Sequence, residues 1–249
     1  MSRYSLDIVQ QPIRSRLCGF GEKDRRPIDP PPVVKARAYE THSDGSETEL
    51  PENGSANQTR DIIPHHLLVQ VEIFDSRGLE SCAYVYNSTT ATQAANTTQA
   101  SLTSDKPIRN LLGSLTAEGT RLRDTENNQG IFFCFQDLSV RVEGVFTLRF
   151  SLVDIEAWVQ SCVFVCRLTN SRLISGKNNQ SIVTQETSDA FQVYSPKKFP
   201  GMTSSTALSK CFASQGIKIS IRKVSRRAHF ARSLNVLPGR TKPWIWRQG

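Results

Sequence analysis

The sequence has no uninterrupted apolar run near the roughly 18 residues that a membrane-spanning helix needs. Its opening residues, MSRYSLDIVQQP, lack the apolar core of a secretory signal, so neither export nor membrane insertion is expected. The six cysteines include no C-x-x-C pair, and without an export signal they are read as reduced thiols. Hydrophobic residues make up only 38% of the 249. A typical globular chain carries about 45–50%, so part of this one is expected to lie outside a core.

Catalytic signatures are missing too. There is no G-x-S-x-G, H-E-x-x-H, P-loop or G-x-G-x-x-G. Gly19-Phe20-Gly21 is a bare G-x-G with no helix behind it. His65 and His66 are neighbours, and on a strand they would point to opposite faces. Cys162 and Cys166 have i, i+4 spacing but no further ligand pair. Asp137 and Glu143 read as turn formers rather than paired catalytic acids. No catalytic residue, metal site or cofactor is expected, and the chain is not read as an enzyme.

What is present is an uneven charge. The last 53 residues, from Lys197, hold 12 of the 31 Lys and Arg and none of the 23 Asp and Glu. The net charge of +8 therefore lies entirely in that stretch, and the rest of the chain is net acidic. A second basic cluster is local: Arg14, Arg16, Lys23, Arg25 and Arg26 share a short segment with only Glu22 and Asp24. Such asymmetry points to a polyanionic partner. The run Arg222-Lys223-Val224-Ser225-Arg226-Arg227 is a candidate nuclear-import signal.

Hydrophobic periodicity predicts strands. Residues 4–11 alternate with Leu6 and Ile8 on one face, and Pro12 ends that strand or confines it to an edge. Residues 12–32 carry five prolines and read as an extended basic loop. Residues 66–74 place Val69, Val71 and Ile73 together, and 82–86 form another strand. Residues 131–135 are a short apolar run. In 145–152, Phe146, Leu148, Phe150 and Leu152 face inward. A hairpin is expected around Glu143-Gly144. Phe191 and Val193 mark a later strand. One helix follows, capped by Ser204 or Ser205, with Leu208, Cys211 and Phe212 as its buried stripe and Gly216 as its terminator. After it, Ile217, Ile219 and Ile221 alternate as a strand. Many short strands with few helices predict a mainly β fold, an antiparallel β-sandwich.

Three stretches together carry a resemblance. They are QQPIRSRLCGFGEKDRRPIDPPPVV (10–34), GIFFCFQDLSVRVEGVFTLRFSL (130–152) and FQVYSPKKFPGMTSSTALSKCFASQGIKISIRK (191–223). In this order they resemble the velvet domain family of fungal developmental regulators, in the form of a short single-domain member. The resemblance implies a twisted β-sandwich of Rel-homology or immunoglobulin-like type. It also implies a transcription regulator of development, sporulation and secondary metabolism, located in the nucleus and shuttling with the cytoplasm. The implied partners are double-stranded DNA and other velvet-domain proteins, in a homo- or heterodimer. The family's DNA-contacting loop maps onto Arg14, Arg16, Lys23, Arg25 and Arg26. Lys197 and Lys198 are a second candidate contact. The alternative is an interaction subunit that partners other velvet proteins and binds DNA poorly alone.

The domain is expected to span 1–223, with loop or disordered insertions at 40–61, 87–105 and 157–180 and a basic tail at 224–249. Residues 158–168 (WVQSCVFVCRL) depart from the family pattern, either as a lineage-specific insertion or as a translated intron.

Overall fold

A computed structural model of the chain describes residues 2–20, 25–42, 46–49, 64–86, 107–155 and 182–222. Two curled β-sheets enclose a common core, and two short strand pairs and one α-helix complete the described residues. In the first sheet, β1 (Ser2–Gln10) pairs antiparallel with β3 (Val33–Thr41). Beyond β3 come β11 (Gln129–Cys134) and β10 (Thr120–Arg123). In the second, β13 (Gly144–Asp154) is central. One side of it pairs with β5 (Leu67–Asp75), which in turn pairs with β9 (Thr116–Glu118). Its other side takes β14 (Ile182–Thr187) and β15 (Phe191–Tyr194). β2 (Arg14–Arg16) then adds parallel to β15.

The period-2 pattern explains the core. Leu6, Val34, Ala36, Ile131 and Phe133 face inward from the first sheet. Val69, Val71, Ile73, Leu148, Phe150, Leu152, Phe191 and Val193 meet them from the second. After Gln129, β11 is apolar from Gly130 to Cys134 because both its faces are covered. Phe132 points away from the sandwich and packs on Phe212 of α1 (Ala207–Ser214), with ring centroids 4.8 Å apart. Val33, Leu122 and Ile219 complete this smaller cluster. Cys134 lies beside it, and burial pushes its thiol up to about 12, so it stays protonated at neutral pH.

β1 stops at Gln10, just before Pro12, and forms the sheet edge as expected. Several expectations are corrected. No hairpin forms around Glu143-Gly144. β11 and β13 belong to opposite sheets, because each has an apolar inward face that must meet the other across the core. Between them β12 (Ser139–Val140) pairs with β8 (Leu111–Leu112). The helix is capped by Thr206, whose Oγ1 accepts the Ser209 N–H at 3.0 Å. Ser205 is instead occupied with the Arg222 backbone, its Oγ accepting that N–H at 2.8 Å. Residues 217–222 are not a strand, since no neighbouring strand among the described residues lies alongside them. Ile219 is buried, Ile217 partly so, and Ile221 is exposed.

His65 and His66 lie in a single 3₁₀ turn, Pro64–His66, ahead of β5. The polar 40–61 segment contributes β4 (Glu47–Glu49), which pairs with Tyr39–Thr41 of β3. The 82–86 strand shortens to β6 (Tyr84–Val85), paired with β7 (Ile108–Arg109). The 87–105 and 157–180 segments and the 224–249 tail lie outside the described residues.

Phe132 is 1% exposed and joins sheet to helix. Phe132→Ala is expected to cost about 3–5 kcal/mol, whereas Ile221→Ala, at an exposed site, should cost little. Urea unfolding checks this: the first variant should lower the midpoint sharply, and equal midpoints would contradict the packing.

Candidate nucleic-acid interface

β2 runs parallel to β15 and both run antiparallel to β13. The exits of β2 and β15 and the entry to β13 therefore share one end of the second sheet. That register gathers sequence-distant basic residues there. Arg16 stands opposite Tyr194, the last residue of β15, and Lys197 and Lys198 follow in the next turn. Arg14 lies two pairs further back, opposite Gln192. Arg14 and Arg16 share a strand face, while Ser15 between them is fully buried on the other.

The chain leaves β2 into the proline-bounded loop. Its outgoing arm is fixed by Leu17 N–H to Tyr194 O at 2.9 Å, Cys18 N–H to Val140 O at 2.9 Å and Gly19 N–H to Arg141 O at 3.1 Å. The returning arm is fixed by Ile28 N–H to Leu138 O at 2.7 Å and by a two-way bridge between Arg14 and Asp29. Both arms are thus part of the sandwich. The stretch between them presents Arg25 and Arg26 on the exterior. Lys23 lies outside the described residues. Phe20, 39% exposed, stands at the base of the loop.

Asp29 closes this construction. Its carboxylate is 1% exposed. It accepts hydrogen bonds from Thr203 N–H, from Thr203 Oγ1 at 2.7 Å and from the Arg222 guanidinium. Arg222 Nε also donates to Thr203 O at 3.2 Å. The candidate import residue Arg222 is therefore tied into the fold, about one-third exposed. Lys223, Arg226 and Arg227 lie outside the described residues. Gln10 makes a parallel clasp. Its Nε2 donates to Pro31 O at 2.6 Å and Ser209 Oγ at 3.0 Å, and its Oε1 accepts from Thr206 Oγ1 at 2.6 Å.

Of the two acids read as turn formers, Asp137 braces the Gly113-Ser114 turn, whereas Glu143 forms an ion pair. Asp137 accepts from Ser114 N–H and Oγ, each at 3.1 Å. Gly113 precedes that serine at φ +105°, and a Cβ there would lie 2.4 Å from Asp137 O, so only glycine fits. Glu143 pairs with Lys198 at 3.4 Å. That pair is exposed and worth at most about 1 kcal/mol, so it leaves Lys198 available to another anion.

The signature of the velvet factor family matches residues 4–226. The chain belongs to the velvet factor family. Velvet complex subunit RYP3 of Ajellomyces capsulatus is 32% identical, with 88% of this chain and 78% of the relative aligned. Velvet complex subunit 2 of Gibberella moniliformis is also 32% identical, with 89% of this chain and 61% of the relative aligned. The sexual development regulator umv3 of Mycosarcoma maydis is 33% identical, with 90% of this chain and 46% of the relative aligned.

In this velvet factor, sequence reasoning considered Asp29 only as an ion-pair partner of Arg25 or Arg26, missing its clasp with Thr203 and Arg222, and it overlooked Arg141. Arg141 donates from Nε to Arg109 O and from Nη1 to Gly19 O, both at 2.9 Å. One signal was available for Asp29: a lone acid between isoleucine and three prolines has no solvated turn to serve. Arg141 had none, because its partners are backbone carbonyls distant in sequence.

Arg222→Ala removes the countercharge of a buried carboxylate, which typically costs about 3–5 kcal/mol. Thermal and urea unfolding should show that loss, and Asp29→Asn in the same background should recover part of it. A loss below about 1 kcal/mol would show that the clasp does not hold the fold.

Proposed function

We propose that this velvet factor is a non-enzymatic regulator of fungal development, sporulation and secondary metabolism that binds duplex DNA as a homo- or heterodimer. The carrying observation is the convergence of Arg16, Arg25, Arg26, Lys197 and Lys198 on one end of a sandwich, around a loop with both arms fixed. A prepositioned loop loses little entropy on docking. Guanidinium groups suit phosphate and the guanine edge in the major groove. The relatives' names, a velvet complex subunit and a sexual development regulator, support assembly with other velvet proteins and a developmental role.

Arg25→Ala with Arg26→Ala should weaken duplex binding and reduce the salt slope by about one unit per lost phosphate contact. The melting temperature should stay unchanged, since both side chains are exposed. Fluorescence anisotropy across salt concentrations reads this out, and an unchanged slope in the folded variant overturns the assignment. The second reading, an interaction subunit that partners velvet proteins without binding DNA itself, is favoured by the complex-subunit names. It requires pull-down of a second velvet protein by a chain whose own DNA binding is negligible at low salt.

The proposed location is the nucleus, with shuttling to the cytoplasm. Arg222 is engaged by Asp29, so import rests on Lys223, Arg226 and Arg227. Alanine at these three positions should shift a fluorescently tagged chain to the cytoplasm in cells that also express its velvet partners. An unaltered nuclear signal would remove the tail cluster from this role.

A further inference from the structure

The ribbon β6–β7 stands beside the basic loop and is not explained by the core. Tyr84 pairs directly with Arg109, so the two side chains share a face, and Tyr86 lies on that face two residues on. Tyr84 is 58% and Tyr86 62% exposed, and Arg109 is exposed as well. Val85 and Ile108, on the opposite face, are half-buried. A ribbon with two residues per strand is too short to hold itself. It is held from its base by Asn110, which is fully buried. Asn110 N–H donates to Ala83 O at 2.8 Å and its Nδ2 to Cys82 O at 3.1 Å. Asn110 O in turn accepts from Arg141 N–H at 3.0 Å.

Arg141 then couples ribbon to loop. A single guanidinium fork bonds the carbonyls of Arg109 and Gly19. Those two carbonyls therefore lie within about 8 Å of each other, the span of one fork and two hydrogen bonds. Gly19 is the base of the arm that leads to Arg25 and Arg26.

We infer that the β6–β7 ribbon is a second duplex-DNA contact element, with Arg109 pairing a phosphate and the Tyr84 and Tyr86 hydroxyls donating to the sugar–phosphate backbone beside the basic loop. This rests on the reading of that loop as a DNA contact. Three features of the ribbon favour DNA over a protein partner. The face carries a cation and two hydroxyl donors. Among the described residues it has no Leu, Ile, Val or Met to form a dry centre. It is tied through Arg141 to Gly19, at the base of the arm that leads to Arg25 and Arg26. Tyr and Arg commonly position a protein on the backbone without reading sequence.

The test uses the full chain and a mixed-sequence duplex, with anisotropy titrations over a series of salt concentrations. Arg109→Ala should lower the salt slope by about one unit. Tyr84→Phe with Tyr86→Phe should weaken binding about three- to tenfold at fixed salt, as expected for lost neutral hydrogen bonds, and leave the slope unchanged because no counterion release is lost. Wild-type slope and affinity in both variants overturn the inference. If Arg25→Ala with Arg26→Ala still lowers the slope in that case, the loop assignment survives alone. If the tyrosine variant instead loses its velvet partner by size-exclusion chromatography and keeps its DNA affinity, the face is a protein interface and the inference fails. A wild-type chain without salt-dependent binding removes both assignments.

Discussion

The buried Asp29 carboxylate is the point on which the binding end depends. It lies between β2 and the segment that leads into α1, and it joins residues far apart in the chain through Thr203 and Arg222. A carboxylate taken from water is costly unless it is paired and hydrogen-bonded. Here it receives two donors from Thr203 and a guanidinium. The arrangement is therefore all-or-none: the loop's return arm, the pre-helix segment and the segment after the helix are in place together or not at all. That converts a proline-rich stretch, which has no helix or central-strand option of its own, into a loop of fixed origin.

The same economy governs the first sheet. β11 supplies Ile131 and Phe133 to the sandwich and Phe132 to the helix side. A strand used on both faces needs both layers to form, so the helix is part of the fold and not an appendage. Thr206 and Ser209 at the helix start also bond Gln10 at the end of β1. The helix N-terminus, the polyproline segment and the first strand thereby meet at one polar junction beside the apolar one.

Some strands of the sandwich were legible because alternation is a local signal, whereas β3, β9, β10 and β14 were not read as strands. Val69, Val71 and Ile73 in β5, and Phe146 to Leu152 in β13, were readable without any knowledge of their partners. Gly216 was readable as well, at φ +99° just past the helix end. What could not be read was pairing. The Glu143-Gly144 hairpin failed because an adjacent run of strands does not say which sheet each joins. The Ile217–Ile221 alternation failed because periodicity cannot reveal whether a partner strand lies alongside. At the site, the basic residues were visible as charge, but their shared sheet end depends on the parallel β2–β15 pairing, a long-range fact. Arg141 acts through backbone carbonyls distant in sequence, so no local pattern marks it, and Asp29 is marked only by its apolar and proline-rich surroundings, which do not name its partners.

A basic end raises the question of which cations hold the protein together and which face outward. The described arginines divide by the kind of partner each has. Arg222 meets a buried carboxylate, and Arg141 meets two carbonyls. Arg149 lies over the Phe74 ring, 3.8 Å from its centroid, and donates to Gly78 O. Arg37 pairs with Asp7 at 3.0 Å, and that carboxylate raises its pKa. Arg222 and Arg141 each use two nitrogens of the planar fork, which a lysine could not reproduce. The turn after β15 instead carries lysines, point charges on flexible stems, with Lys198 in an exposed pairing to Glu143. The arginines engaged in this way hold the fold together. Further cations stand on the loop, the β15 turn and the ribbon face, and each of these is positioned by a different long-range tie: the loop's return arm by Asp29, the β15 turn by the parallel β2–β15 pairing and the ribbon by Arg141.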